Sequence, residues 1–183
     1  MNDRDRVERE LKFSCSDLNT LRERLQDAEA ERQSASLFED NMIYDRRGEL
    51  AEGGRLLRLR LVGKSACLTY KGPASFDGGL KIREERETEI ANAEELRAIL
   101  DHLGYTRTQR YQKYREEWRL GGVTICLDRT PIGEFVEFEG SAAAALARRL
   151  GLDPDAAERR SYLKIYEDYR QTHPQAPKDM VFT

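Results

Sequence analysis

The chain has 183 residues, which is enough for one domain with a sizeable hydrophobic core. Its 31 lysines and arginines nearly balance its 34 aspartates and glutamates, and the net charge of −3 excludes the basic excess of a general nucleic-acid binder. The three cysteines are widely spaced and only two histidines occur, so a disulfide framework, a structural zinc site and a His-based triad are disfavoured, and chemistry must come from carboxylates, lysines and arginines.

The first half of the chain reads as several strands and one helix. The opening segment MNDRDRVERE contains no apolar stretch, and no apolar segment reaches membrane-spanning length. We therefore expect a cytoplasmic protein that does not bind a membrane. The sequence predicts a strand at 7–13 and then a helix capped by Ser16 and Asp17. The next strand is predicted to end in NMIYD at 41–45, and further strands are predicted at 55–61, 66–71 and 80–90, with the turn-forming segments RRGELAEGG and GPASFDGG between them.

The second half adds helices and three more strands. A helix is predicted after Asn92 as N-cap, ending at Gly104. TRTQRYQKYREEWRL, GVTICLD and GEFVEFE then predict strands, and SAAAALARRLG and a segment near 155–171 predict helices. We expect one domain over 1–172 and a loose, proline-containing tail at 173–183. Many strands with hairpin-like connections and three or four helices indicate an antiparallel α+β fold.

Alternation along the predicted strands places charged side chains together on one face. In VERELKF, Glu8, Glu10 and Lys12 share a face because successive side chains of a strand point to opposite sides. The other strands carry charged faces made of Arg58 and Arg60; Thr69 and Lys71; Lys81, Arg83, Glu85, Glu87 and Glu89; Lys113, Arg115 and Glu117; and Glu137 and Glu139.

Two interpretations of these faces compete. A half-buried antiparallel strand usually turns its polar side to water, which explains any single strand. Together, however, the faces consist mainly of Glu, Arg and Lys, with like charges two residues and roughly 6.5–7 Å apart. Carboxylates at that spacing disfavour joint ionisation unless a cation lies between them, and guanidinium groups suit a shared phosphate. A closed barrel can enclose such faces if helices cover its apolar outside, and it would then hold a divalent metal bound to a polyphosphate.

The order of these segments resembles the CYTH superfamily, also called triphosphate tunnel metalloenzymes. Glu8-Arg9-Glu10-Leu11-Lys12 is similar to the ExExK strand of that family. NMIYD, LLRLR, LTYKGP, REERETEI, the Lys113 and Arg115 pair and VTICLDRTPIGEFVEFEG follow in family order, and Ser161-Tyr162-Leu163 is similar to the closing motif of the class IV adenylate cyclase-like branch. The resemblance covers about residues 7–166.

The resemblance implies an α+β fold in which an eight-stranded antiparallel β-barrel forms a tunnel with a polar, charged interior and helices outside. The tunnel would hold a substrate's triphosphate with Mg²⁺ or Mn²⁺. The implied metal ligands are Glu8, Glu10, Asp128, Glu137 and Glu139. The implied triphosphate-binding residues are Lys12, Arg58, Arg60, Lys71, Arg83, Lys113 and Arg115, and the supporting acidic residues are Glu85 and Glu87.

Three functions stay open at this point. An adenylate cyclase of the class IV type would convert ATP to cyclic AMP and pyrophosphate, and the sequence leans slightly towards that branch. A triphosphatase would instead hydrolyse tripolyphosphate or thiamine triphosphate, and a non-catalytic module would only bind a polyphosphate or nucleotide. For an enzyme, we expect Glu8, Glu10 and Lys113 to be catalytic, with Lys113 acting as a base whose pKa neighbouring cations lower. We expect no nucleic-acid partner, and the resemblance allows a homodimer.

Overall fold

The computed structural model describes residues 7–183. The strands of this part of the chain are β1 (Val7–Cys15), β2 (Glu31–Arg32), β3 (Leu37–Asp45), β4 (Leu56–Val62), β5 (Ser65–Lys71), β6 (Ser75–Asp77), β7 (Leu80–Ile90), β8 (Thr106–Leu120), β9 (Val123–Thr130) and β10 (Gly133–Glu139). The helices are α1 (Leu18–Asp27), α2 (Glu49–Glu52), α3 (Ala93–His102), α4 (Ala143–Arg149) and α5 (Tyr162–Thr172), with a 3₁₀ turn at Pro154–Ala156.

Eight of these strands close into an antiparallel barrel. The strand order is β1-β10-β9-β8-β3-β4-β5-β7, and β7 pairs with β1 to complete the ring. The two short strands outside the ring pair with barrel strands: β6 pairs with β7, and β2 pairs with β8. This architecture confirms the predicted eight-stranded tunnel, and it puts residues of distant sequence segments face to face across the interior.

The helices cover the apolar outer face of the barrel. Leu18, Leu21 and Leu25 recur at helical spacing along α1 and pack against Leu11 and Phe13 of β1 in the largest core cluster. Other clusters hold α3 and α5 against the barrel. Within residues 7–183, no helix is both long and apolar enough to cross a membrane.

Local signals fixed some helix ends but not others. Asp17 and Asn92 cap α1 and α3 through their side-chain oxygens, and Gly104 follows α3 with a φ of +81°, so these predicted ends are confirmed. α5 begins later than predicted, because Pro154 starts a separate 3₁₀ turn and Ser161 supplies the N-cap. A short helix, α2, occupies part of the segment expected to be a turn.

The C-terminal segment is docked, in contrast to the loose tail expected from residue 173. Met180 is fully buried and pairs with Tyr111 of β8 as an isolated parallel bridge. Its backbone N–H donates to the Arg110 carbonyl at 3.0 Å, and its carbonyl accepts from Gln112 at 2.8 Å. The two prolines of the segment suggested a loose tail. A single buried methionine has no periodicity that would have indicated the contact.

Candidate functional site: a charged tunnel

The inward faces of the barrel strands enclose a main cavity of about 820 Å³. Ten basic and seven acidic side chains line it, so its formal charge is +3 although the whole chain carries −3. The sequence-predicted site residues that line this cavity are Glu8, Glu10, Lys12, Arg58, Arg60, Lys71, Arg83, Glu85, Glu87, Lys113, Arg115, Glu137 and Glu139.

Four carboxylates cluster where β1 meets β10. Glu10 lies directly opposite Glu139 in the sheet, while Glu8 and Glu137 lie two positions away on the same inward faces. Burial, together with the other three carboxylates, raises the pKa of Glu139 to about 7. Burial and the neighbouring carboxylates therefore both disfavour the charged form of Glu139.

The lysines of the cavity are held by carboxylates. Lys71 Nζ lies 2.8 Å from Glu8 Oε1 and 3.1 Å from Glu85 Oε2. Lys12 Nζ lies 3.3 Å from Glu137 Oε1, and both of these side chains are almost fully buried. These ammonium groups are thus fixed in the wall by acidic partners.

Arg58 and Arg60 project into the cavity from β4. Arg60 Nη2 donates to both oxygens of Glu87, at 3.1 and 3.2 Å. Arg58 donates 3.3 Å hydrogen bonds to the hydroxyls of Tyr111 and Thr69. Its Nε has no hydrogen-bond partner within the described chain, so this buried guanidinium keeps an unused donor.

Arg83 differs from the other predicted phosphate-binding cations because backbone carbonyls hold it. Its Nε donates to the Gly72 carbonyl at 2.9 Å, and its Nη2 donates to the Gly54 carbonyl at 3.4 Å. Arg83 thereby fixes two loops at the cavity wall while lining the cavity itself.

Asp128 anchors cations behind the wall of the cavity and is not among the residues that line it. Its fully buried carboxylate accepts hydrogen bonds from Lys113 Nζ at 2.9 Å and from Arg115 Nε and Nη2 at 2.7 and 2.6 Å. The Tyr162 hydroxyl donates to it at 2.7 Å. Protein donors occupy its oxygens in this structure, and the metal-ligand role implied for Asp128 stays a prediction.

The predicted lowering of the Lys113 pKa is wrong. Burial and the neighbouring Arg115 act in that direction, but Asp128, Glu39 and Glu137 together raise the pKa of Lys113 above its usual value. The prediction considered the cations along the strand and missed the carboxylates that β3, β9 and β10 bring from the other strands of the barrel. The ammonium form of Lys113 is therefore favoured in this structure, and its expected catalytic role stays a prediction.

Sequence reasoning assigned no role to Tyr162, which α5 places in the wall of the cavity. Lys12 Nζ lies 4.2 Å from the centroid of its ring, and Lys113 Nζ lies 5.3 Å from it. An aromatic face attracts ammonium groups at these distances. The Ser161-Tyr162-Leu163 motif was visible in the sequence, but its contacts with β1 and β8 depend on the folded position of α5.

Glu39 and Lys81 are two further charged residues that the site assignment missed. Glu39 is buried, and its Oε2 makes no hydrogen bond within the described chain. It precedes the NMIYD segment in which the strand was predicted to end, and β3 begins at Leu37. Lys81 lies on the predicted charged face of β7, 3.8 Å from Glu10, and burial and neighbouring ammonium groups lower its pKa.

The acidic cluster fits a divalent cation by its chemistry. Glu8, Glu10, Glu137 and Glu139 offer the carboxylate oxygens that Mg²⁺ and Mn²⁺ prefer, and all four line the same cavity. Over residues 7–183, no three Asp, Glu, His or Cys side chains converge as a ready ligand cluster. Lys71 donates to both oxygens of Glu8 in this structure.

The closed tunnel and its charged interior define a protein of the CYTH class. Residues 6–149 match the CYTH domain, and the chain belongs to the CYTH family. The matched region ends before α5, so Tyr162 lies outside it.

Individual relatives match most of the chain. A Methanocaldococcus jannaschii protein named "Putative adenylate cyclase" is 26% identical over 172 residues, which cover 87% of this chain and 98% of that protein. The solved structure of a Vibrio parahaemolyticus protein described as a putative adenylate cyclase has a TM-score of 0.78 at 24% identity, covering 88% of this chain and 98% of that one. A Hippeastrum protein, described as a putative adenylyl cyclase with a dominant triphosphatase activity, has a TM-score of 0.63 at 17% identity, covering 88% and 96%.

Proposed function

We propose that this protein is a divalent-metal-dependent enzyme that acts on a triphosphate-bearing small molecule inside the main cavity. The observation that carries the proposal is the contrast within one cavity, where a formal charge of +3 lies beside a cluster of four carboxylates. The cationic wall suits a polyanion, and the carboxylates suit the cation that accompanies it. A volume of about 820 Å³ is within the usual range for small-molecule sites.

Binding of the triphosphate would replace ion pairs within the protein by ion pairs between lysines and phosphate. Phosphate oxygens would replace Glu8 as the partner of Lys71 and Glu137 as the partner of Lys12, which releases carboxylate oxygens for the metal. Lys113 and Arg115, held in place by Asp128, would receive further phosphate oxygens without having to reorient. When bound, the metal would neutralise phosphate charge and polarise phosphorus–oxygen bonds.

Our first candidate reaction is the class IV adenylate cyclase reaction. The ribose 3′-hydroxyl oxygen attacks the α-phosphorus, the bond from that phosphorus to the bridging oxygen breaks, pyrophosphate leaves and the hydroxyl proton is released. The chain's own contribution is to hold the polyphosphate and to neutralise the leaving pyrophosphate with guanidinium and ammonium groups. The name of the 26% identical Methanocaldococcus jannaschii relative supports this candidate.

Triphosphate hydrolysis is the second candidate. The description of the Hippeastrum protein, which has a dominant triphosphatase activity, supports it. Water would attack the terminal phosphorus, the bond from that phosphorus to the bridging oxygen would break, the diphosphate part would leave and a proton would be released. Tripolyphosphate and thiamine triphosphate are the substrates to compare with ATP.

Incubation with each of these three compounds, under Mg²⁺, Mn²⁺ or a chelator, tests the proposal. Cyclic AMP with equimolar pyrophosphate identifies the cyclase, and phosphate without cyclic AMP identifies the hydrolase. Binding without turnover identifies a non-catalytic module. Turnover that persists in the chelator overturns the metal dependence, and failure to bind any triphosphate overturns the proposal as a whole.

A further inference from the structure

The tunnel continues beyond the main cavity into a second chamber of about 260 Å³, which we call the vestibule. The charged residues of the vestibule are Glu39, Arg60, Glu87, Glu89, Arg115 and Glu117. Arg60, Glu87, Arg115 and Glu117 also line the main cavity, so the two chambers meet at these four side chains. A ligand that occupied both chambers would lie against these four side chains.

The two chambers carry opposite charge. The vestibule has four carboxylates and two guanidinium groups, a formal charge of −2, against +3 in the main cavity. Both guanidinium groups have a carboxylate partner, Glu87 at 3.1 Å from Arg60 and Asp128 at 2.6 Å from Arg115, which reduces their effect on the potential of the vestibule. Within residues 7–183, Glu89 and Glu117 have no ion-pair partner. The vestibule therefore repels phosphate and attracts positive charge.

A buried acceptor in the vestibule also lacks a donor. Glu39 is 5% exposed, and its Oε2 has no hydrogen-bond partner within the described chain. The nearest ammonium, Lys113 Nζ, lies 3.7 Å away, beyond hydrogen-bond distance. Buried polar atoms in folded proteins almost always find a partner, so this oxygen points to an N–H donor supplied by a ligand.

We propose that the vestibule binds the organic group attached to the polyphosphate, and that it selects a group which is positively charged and carries N–H donors. The proposal rests on the proposed function, since it requires the phosphates to occupy the main cavity. Leu37, Val62 and Ala66 provide apolar wall for a heterocyclic ring. A further phosphate would meet the repulsion of Glu89 and Glu117, and an apolar group would leave the Glu39 oxygen without a donor.

Equilibrium binding tests this without turnover. Calorimetry with Mg²⁺ would compare three compounds. Pyrophosphate has no organic part, ADP carries an uncharged base with an amino group, and thiamine diphosphate carries a cationic heterocycle with an amino group. We expect affinity to rise in that order. We expect Glu89→Gln and Glu117→Gln each to reduce the preference for thiamine diphosphate over pyrophosphate about three- to tenfold, with a smaller reduction at high salt.

The control is Glu23→Gln, which changes the net charge equally on the exposed face of α1 and should leave the preference unchanged. Glu89 is exposed, so its variant keeps the fold, which circular dichroism checks. Equal affinity for the three compounds, or a preference that survives both substitutions, overturns the vestibule proposal and leaves the proposed function standing. Binding of none of the three overturns both.

Discussion

The hydroxyl of Tyr162 lies 2.7 Å from Oδ2 of Asp128, and this hydrogen bond joins the C-terminal helix to the charged wall of the tunnel. The ring of the same tyrosine faces the ammonium group of Lys12 at 4.2 Å. The C-terminal helix is itself held in place, because the Tyr166 hydroxyl donates to the Pro177 carbonyl at 2.8 Å in the docked tail. A segment beyond the matched domain therefore orients cations inside it.

Two substitutions of Tyr162 distinguish the effect of its hydroxyl, which contacts Asp128, from that of its ring, which faces Lys12. Tyr162→Phe removes the hydroxyl and keeps the ring, so Asp128 loses one donor and holds Lys113 and Arg115 less firmly. We expect KM for the triphosphate to rise about three- to tenfold with a smaller change in kcat, because a buried hydrogen bond contributes about 1 kcal/mol. Tyr162→Leu also removes the aromatic face and should raise KM further.

Steady-state kinetics, together with calorimetric affinity for pyrophosphate, measures both effects. Tyr169→Phe is the matched control, because Tyr169 lies on the same helix and is 36% exposed. If both Tyr162 variants keep the KM and affinity of the original chain, Tyr162 only supports the packing of the C-terminal helix.

Loss of the carboxylates of β1 should abolish metal-dependent turnover. In Glu8→Gln with Glu10→Gln, two oxygen donors become neutral amides, which bind Mg²⁺ poorly. We expect a fall in turnover of at least about a hundredfold in saturating Mg²⁺, with circular dichroism unchanged, because the side-chain volumes are kept. A magnesium titration of turnover checks this, with Glu23→Gln as control. Turnover near the original rate would show that the metal uses other ligands.

The alternation of charged residues predicted which side chains line the tunnel, but not how they pair. Alternation assigns Lys113 and Arg115 to the inward face of their strand. It does not reveal that the register of the neighbouring strand sets Arg115 opposite Asp128. In this structure that pairing makes Asp128 an anchor for both cations. Partners across a barrel depend on strand order and register, which the local pattern does not contain.

The shortest elements were missed for a related reason. Strands of two and three residues, such as Glu31–Arg32 and Ser75–Asp77, are too short to show a period of two. The docking of Met180 depends likewise on one apolar side chain that meets a distant strand. Long strands and capped helices were predictable because each repeats its signal over several residues.

Glu39 should stabilise the fold only when it is ionised. Although burial opposes it, Lys113, Arg115 and Arg60 hold the pKa of Glu39 down to about 2, from an ordinary value of 4.5. The lowered pKa means that the stabilisation is present above pH 4.5 and is lost as the pH falls from 4.5 towards 2. We expect Glu39→Gln to lower the free energy of unfolding at pH 7 by about 3 kcal/mol.

Urea unfolding of the original chain and of Glu39→Gln, measured across this range, checks the prediction. The difference between the two proteins should shrink as the pH approaches 2, whereas Glu23→Gln should show no comparable change. A difference that is constant with pH would mean that the substitution acts through packing and not through charge.

Glu139 should have the opposite effect on the metal-free protein. Its pKa is raised from an ordinary 4.5 to about 7 by burial and by neighbouring carboxylates, so the folded chain binds a proton more tightly than the unfolded chain does. The free energy of unfolding should therefore fall as the pH rises from 4.5 to 7, by about 1–2 kcal/mol after allowance for a side chain that is 32% exposed.

Glu139→Gln should remove this loss of stability. Saturating Mg²⁺ should offset the loss in the original chain, because a cation bound only to the folded state stabilises that state. Thermal unfolding in a chelator and in Mg²⁺ at pH 5 and pH 8 measures all three effects. If Mg²⁺ stabilises the original chain and Glu139→Gln equally, Glu139 is not part of the metal site.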